Sequence, residues 1–162
     1  MTVGSQFATA KPWRWNITLK GAARSQLAAP PVERRKHMVP QRVIIVEDEY
    51  LVALDVEAVL QSMGVETIVI ATTLAQARQT VEQDGADCVL LDVSLSDGMS
   101  YDFARQLREA GIPFGFVSGY GDTTGFPDDL SQAPLLGKPF GENEIMDFVL
   151  DLLGVSNDAV KE

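Results

Sequence analysis

The 162 residues hold one cysteine, Cys88, and one histidine, His37. A lone cysteine excludes an internal disulfide and any cysteine-based metal site. A lone histidine outside the patterned part of the chain argues against a zinc cluster or a Ser-His-Asp triad there. No apolar run approaches the ~18 residues of a membrane span, and no secretory h-region is present. Neither Gly-x-x-x-x-Gly-Lys-[Ser/Thr] nor Gly-x-Gly-x-x-Gly occurs, which argues against a nucleotide-binding module. Basic residues are scarce after the first 37 positions. Residues 1–37 carry seven basic side chains against Glu33 alone, a surplus of +6, whereas the remainder carries six basic and 22 acidic residues, a net −16. A body of that charge repels nucleic acid backbones and anionic membranes and suits a partner with a basic surface.

What is present is one domain's worth of pattern. Residues 1–40 contain Pro12, Pro30, Pro31 and Pro40, lack periodicity, and read as a mostly disordered basic extension. Their composition resembles a transit peptide. Trp13-Arg14-Trp15 is either part of an unstructured tail or a contact for a membrane surface or partner. Met38, just before the first strand, is an alternative translation start.

From Gln41 the order is regular. Arg42–Val46 reads as a strand, Tyr50–Met63 as a helix closed by Gly64, and residues 65–70 as a strand. Thr72 or Thr73 caps a helix to about Gln83, and 87–91 is a third strand. Ser100 caps a helix to Ala110, residues 112–117 form a fourth strand, and 134–136 form a fifth. A last helix spans 142–153. Residues 119–133 are rich in Gly, Asp, Thr and Pro, so any fourth helix there is short or irregular. Five alternations of strand and helix predict a parallel sheet with helices on both faces, over 41–155, with a tail at 156–162.

The run Cys88-Val89-Leu90-Leu91 is the signature of a strand buried on both faces, and it stops at Asp92. Ligands of open α/β sheets bind outside the carboxyl ends of the strands. Glu47 and Asp48 end the first strand as Asp92 ends the third, so three carboxylates face one crevice. Two such charges ~4 Å apart repel by roughly 4 kcal/mol at an effective dielectric near 20. A divalent cation relieves this, and all-oxygen donors point to Mg²⁺. Each acid taken alone is also a plausible helix cap. Ser118 ends the fourth strand and Lys138 follows the fifth. A hydroxyl and an ammonium converging on three acids suit a phosphoryl group, with Asp92 the nucleophile that becomes an aspartyl phosphate. Taken alone, Lys138 is an ordinary surface lysine and Ser118 an ordinary turn residue.

The order Val46-Glu47-Asp48-Glu49, Leu91-Asp92-Val93, Val117-Ser118-Gly119 and Lys138-Pro139-Phe140 resembles a two-component response-regulator receiver domain. The resemblance covers about residues 41–155. It implies a flavodoxin-like fold with strand order 2-1-3-4-5. It implies Mg²⁺ held by Glu47, Asp48, Asp92 and the backbone carbonyl of Ser94, with Lys138 on the phosphoryl group and a cis bond allowed at Lys138-Pro139. It implies a cytoplasmic phosphoprotein phosphorylated at Asp92 by a histidine kinase or a histidine phosphotransfer protein. Self-phosphorylation and autodephosphorylation would be its only enzymatic activity.

Two positions depart from the pattern. The fifth-strand aromatic three residues before the lysine is Leu135 here, and the proline four residues after the aspartate is Ser96. Phe114-Gly115-Phe116-Val117-Ser118-Gly119-Tyr120 is similar to the Phe-Ala-Thr-Gly-Tyr motif of an atypical subgroup, often single-domain and paired with HWE-type kinases. Tyr120 is either a packing residue or takes over part of the aromatic switch role. Ser94 and Tyr120, beside the path of attacking water, are expected to tune the phosphate lifetime.

Eight residues follow Gly154, so the sequence reads as a stand-alone receiver whose output is binding to a downstream protein. Two rivals are a pseudo-receiver that binds without phosphorylation and a Mg²⁺-dependent phosphatase. The first normally loses an acid or the lysine, and neither is lost here. The second usually needs a further Asp where Ser94 stands.

Overall fold

Arg42–Val46 is apolar and β-branched after its first residue, and it becomes the strand with a partner on each side. In the computed structural model, which describes residues 39–119 and 125–155, this β1 lies parallel to β2 (Thr67–Ala71) and to β3 (Cys88–Leu91). Strand β3 continues to β4 (Phe114–Ser118), and β4 to β5 (Leu135–Gly137), all parallel. The order is 2-1-3-4-5, as a flavodoxin-like fold requires.

Alternation along the strands divides the core in two. Ile44, Val46, Val89, Leu91, Phe114 and Phe116 face one side, against α2 (Leu74–Asp84) and α3 (Tyr101–Ala110). Val43, Ile45, Cys88, Leu90 and Val117 face the other, against α1 (Tyr50–Met63) and α4 (Glu142–Leu152). Two-sided burial explains why the strands read as unbroken apolar runs. Between β4 and β5 the only helical piece among the described residues is the 3-10 turn Asp128–Leu130, in keeping with the irregular fourth helix expected there. No helix among the described residues is long and apolar enough to cross a membrane.

The register sets the site. Val46 lies opposite both Ala71 and Leu91, Leu91 opposite Phe116, and Ser118 opposite Gly137. The carboxyl ends of β1, β3, β4 and β5 therefore reach one edge, and whatever follows each strand meets there.

Two strands begin two residues later than the sequence pattern predicts: β2 at Thr67 rather than Val65, and β4 at Phe114 rather than Ile112. One cause serves both. Gly64 and Gly111 adopt left-handed backbone (φ 89° and 71°). The next N–H then turns back, Val65 to the Leu60 carbonyl at 3.1 Å and Ile112 to the Leu107 carbonyl at 2.9 Å. These residues close helices and cannot enter the ladder. These two strands instead run one residue further at their ends, to Ala71 and Ser118, and β5 is shifted by one residue, to Leu135–Gly137.

Gly115 is required by packing. A Cβ there would lie 2.4 Å from Phe148 Cζ and 3.0 Å from a Leu152 methyl on α4. Gly115→Ala is expected to lower stability by about 1–3 kcal/mol through overpacking, with the urea midpoint falling at unchanged m-value.

Candidate functional site

Three backbone hydrogen bonds lock the site residues into the sheet's edge, and a fourth bond orients the Glu47 side chain. Glu47 N–H donates to the Ala71 carbonyl (3.0 Å), and Asp92 N–H to the Val46 carbonyl (2.9 Å). Lys138 N–H donates to the Ser118 carbonyl (2.7 Å). Glu49, the N-cap residue of α1, donates its N–H to Glu47 Oε1 at 3.0 Å. The acids after β1 are thus placed by the ladder and by a local turn. The side chain of Glu49 itself makes no capping bond.

One carboxylate oxygen from each of Glu47, Asp48 and Asp92 lies within 4.8 Å of the others. Glu47 is buried at 3% exposure, Asp92 is half-buried and Asp48 is exposed. Lys138 Nζ reaches into the same group, 2.5 Å from Glu47 Oε2 and 3.3 Å from Asp92 Oδ2. The Lys138-Pro139 peptide bond is cis. Ser118 is buried at 3% as the last residue of β4. The sheet thus gathers Glu47, Asp48, Asp92, Ser118 and Lys138 at one edge, although they span more than 90 positions of the sequence.

The electrostatics follow from burial. Loss of water raises the Glu47 carboxyl above its ordinary value, and the charge of Asp92 adds to this. The hydrogen bonds from Lys138 and from the Glu49 N–H oppose the rise without cancelling it. For Lys138 burial works against the ammonium, but the Glu47 hydrogen bond and the charges of Asp92 and Glu47 outweigh it and hold the group charged. Three carboxylates face one ammonium. Oxygens sharing one Mg²⁺ at ~2.1 Å lie roughly 3–4 Å apart, against the 4.8 Å within which these three oxygens fall. An all-oxygen cluster with excess negative charge fits a hard divalent cation.

The remaining predicted residues are less central. Ser94 is exposed, two residues past Asp92, and pairs with Met99 in a small antiparallel hairpin, 94–95 against 98–99. Ser96 is exposed at its tip. Leu135 pairs with Phe116 and packs against the α2/α3 side of the core. Tyr120, Met38 and the basic segment 1–37 lie outside the described residues.

Of the two candidate caps of α2, Thr73 is the one used, accepting from the Gln76 N–H at 3.2 Å. One capping assignment changes. Ser100 occupies the N-cap position of α3 but makes no capping bond; its hydroxyl donates to the Val93 carbonyl at 3.2 Å. That bond ties the hairpin after Asp92 to the start of α3. Asp97 has a role that sequence reasoning missed. Its carboxylate accepts from the N–H groups of Leu74 and Ala75 at 3.0 and 3.3 Å, capping α2 from the hairpin. The Leu74 bond comes first among the contacts that hold this carboxyl below its usual range. No local signal reveals a cap 23 residues away.

Over 101 residues the chain is 31% identical to the phyllosphere-induced regulator PhyR of Methylorubrum extorquens. That alignment covers 60% of this chain and 38% of the relative, so the chain spans well under half of that protein's length. Among solved structures, the receiver domain of Erythrobacter litoralis PhyR is 28% identical with a TM-score of 0.65, over 74% of this chain and 95% of that one. SdrG of Sphingomonas melonis Fr1 is 30% identical with a TM-score of 0.61, over 73% of this chain and 98% of that one. The response regulator receiver domain model matches residues 43–150, which is most of the sequence and nearly all of the described fold, and the chain belongs to that family.

Proposed function

We propose that the chain accepts a phosphoryl group on Asp92 from a histidine kinase or a histidine phosphotransfer protein. It then signals by phosphorylation-dependent binding to a downstream protein or by passing the phosphate on. The observation that carries this reading is Lys138 Nζ held against both Glu47 and Asp92 inside the carboxylate cluster. A lone acid at a strand end is an ordinary residue. An acid cluster that suits a divalent cation and shares one half-buried ammonium offers a nucleophile together with positive charge for a phosphoryl group.

An Asp92 carboxylate oxygen forms the new bond to phosphorus as the phosphorus–nitrogen bond of the donor phosphohistidine breaks. The leaving imidazole keeps the bonding pair and takes a proton from solvent. Lys138 transfers its hydrogen bonds from carboxylate to phosphoryl oxygen, and the Ser118 hydroxyl, at the end of β4, donates to another. Glu47, Asp48 and Asp92, with the Ser94 carbonyl as a further oxygen donor, would hold Mg²⁺. The bound cation supplies positive charge for the phosphoryl oxygens.

The Phe114–Tyr120 sequence supports membership of the Phe-Ala-Thr-Gly-Tyr subgroup and an HWE-type kinase as donor. In this reading Tyr120 serves in place of the aromatic that Leu135 lacks. The test is incubation with acetyl phosphate, with and without Mg²⁺, followed by intact mass. A Mg²⁺-dependent gain of one phosphoryl group is expected. No gain, together with no binding of beryllofluoride, would refute the reading in favour of a phosphorylation-independent module.

A further inference from the structure

The turn Asp128–Leu130 is too short to be held by a hydrogen-bond ladder of its own. Tertiary contacts hold it. Leu130 is buried at 1% exposure in the core beside α3. Phe126 stands edge-on to Tyr101 of α3 (centroids 5.3 Å apart) and against Phe116 of β4 (5.1 Å). On the polar side two arginines of α3 close on Asp129. Arg105 grips the carboxylate in bidentate fashion, Nε to Oδ2 at 2.8 Å and Nη2 to Oδ1 at 2.9 Å. Arg108 donates to the Asp129 carbonyl at 2.8 Å and to Oδ2 at 3.0 Å. The Arg105 hydrogen bonds lead the contacts that hold the Asp129 carboxyl well below the usual range.

The position of this clamp matters more than its strength. The clamped turn lies between Ser118 and Lys138 in the chain, and Phe116 is two residues before Ser118 on the same strand. In this arrangement Lys138 is committed to Glu47 and Asp92. A phosphoryl group on Asp92 competes for that ammonium, so the described conformation is the one the unphosphorylated protein favours.

We propose that Arg105, Arg108 and Asp129 form a latch that holds the Asp128–Leu130 turn on α3 in the unphosphorylated protein and opens when Ser118 is drawn to the phosphoryl group. The proposal rests on Asp92 being the phosphoryl acceptor. Moving Ser118 moves Phe116, and the tightly packed Phe116–Phe126 contact passes the shift to the turn. Bidentate guanidinium–carboxylate geometry tolerates little displacement. A contact made in only one of two states biases the equilibrium by its own free energy, and the coupling is reciprocal. Removing the latch must therefore tighten binding of a phosphoryl mimic.

The experiment titrates the protein with beryllofluoride in excess Mg²⁺, following the amide resonances of Ser118 and Leu130. Asp129→Ala and Arg105→Ala are each expected to bind roughly two- to fivefold more tightly than wild type, the range set by partly exposed ion pairs. The double variant should gain no more than Asp129→Ala alone, because that substitution already removes the contact of Arg105 with the turn. Asp102→Ala is the control. It deletes the 2.7 Å partner of Arg105 within α3 without touching the turn, and its affinity should match wild type. Unchanged or weaker binding in Asp129→Ala would overturn the latch, as would equal tightening in Asp102→Ala. Should Asp129→Ala fail to fold, Arg108→Ala and Asp129→Asn carry the same expectation and the same refutation. Absence of binding by wild type would instead remove the phosphoryl-acceptor reading, and the latch with it.

Discussion

Asp92→Asn is expected to reduce phosphorylation by acetyl phosphate at least ~10³-fold, to background by intact mass. An amide oxygen is not a nucleophile towards phosphorus, so the acceptor itself is lost. Unfolding cannot explain the loss. Asparagine keeps the shape, the N–H to the Val46 carbonyl is a backbone bond, and Lys138 retains Glu47 at 2.5 Å. The variant removes one of three crowded negative charges, so its melting temperature without divalent cation should equal or exceed that of wild type. A variant that still gains one phosphoryl group would move the acceptor to another residue. A melt that collapses would mean that the Asp92–Lys138 contact is structural.

The second large effect is stabilisation by Mg²⁺. A ligand that binds only the folded state at 100 times its Kd adds about 2.7 kcal/mol, or roughly 10 °C in Tm for a domain of this size. Asp48→Asn, at the exposed corner of the cluster, should abolish most of that rise while leaving the cation-free Tm nearly unchanged. Glu47 makes the effect depend on pH. Its folded pKa is raised by burial. It therefore contributes stability that is present below the ordinary carboxylate range and is lost as pH rises through the raised value. In chelator, stability should fall as pH rises from the ordinary carboxylate range through the raised Glu47 value, and Glu47→Gln should flatten that slope. Asp97 and Asp129, both held low by hydrogen bonds, act in the opposite sense: their contributions are lost only as pH falls below the usual carboxylate range. A Tm indifferent to Mg²⁺ in wild type, or a slope that survives Glu47→Gln, would contradict this account.

Helix α1 begins and ends where its periodicity and Gly64 place it, because both signals are local. The same holds for β1, an uninterrupted apolar run. The two late strands show where local reading stops. Val65 and Ile112 are good strand residues, but their N–H groups are already used by the glycine caps before them. Ser100 shows the same limit. Its type and position suit a cap, yet the Val93 carbonyl from the hairpin after Asp92 takes its hydroxyl. Asp97, Arg105, Arg108 and Asp129 were unremarkable in the sequence because their partners lie 21 to 24 residues away.

By itself the sequence determined the layering and the inventory of the site. Apolar runs set five parallel strands, glycines set the helix ends, and Glu47, Asp48, Asp92, Ser118 and Lys138 each follow or end a strand. Periodicity and strand-end chemistry are properties of a few neighbouring residues, so they are written in the chain. Only the tertiary structure decided how those residues meet. The parallel register brings four strand ends level, burial raises Glu47, Lys138 divides its ammonium between two acids, and two arginines of α3 hold the turn before β5. These depend on distance and on exclusion of water, and both exist only once the sheet has formed.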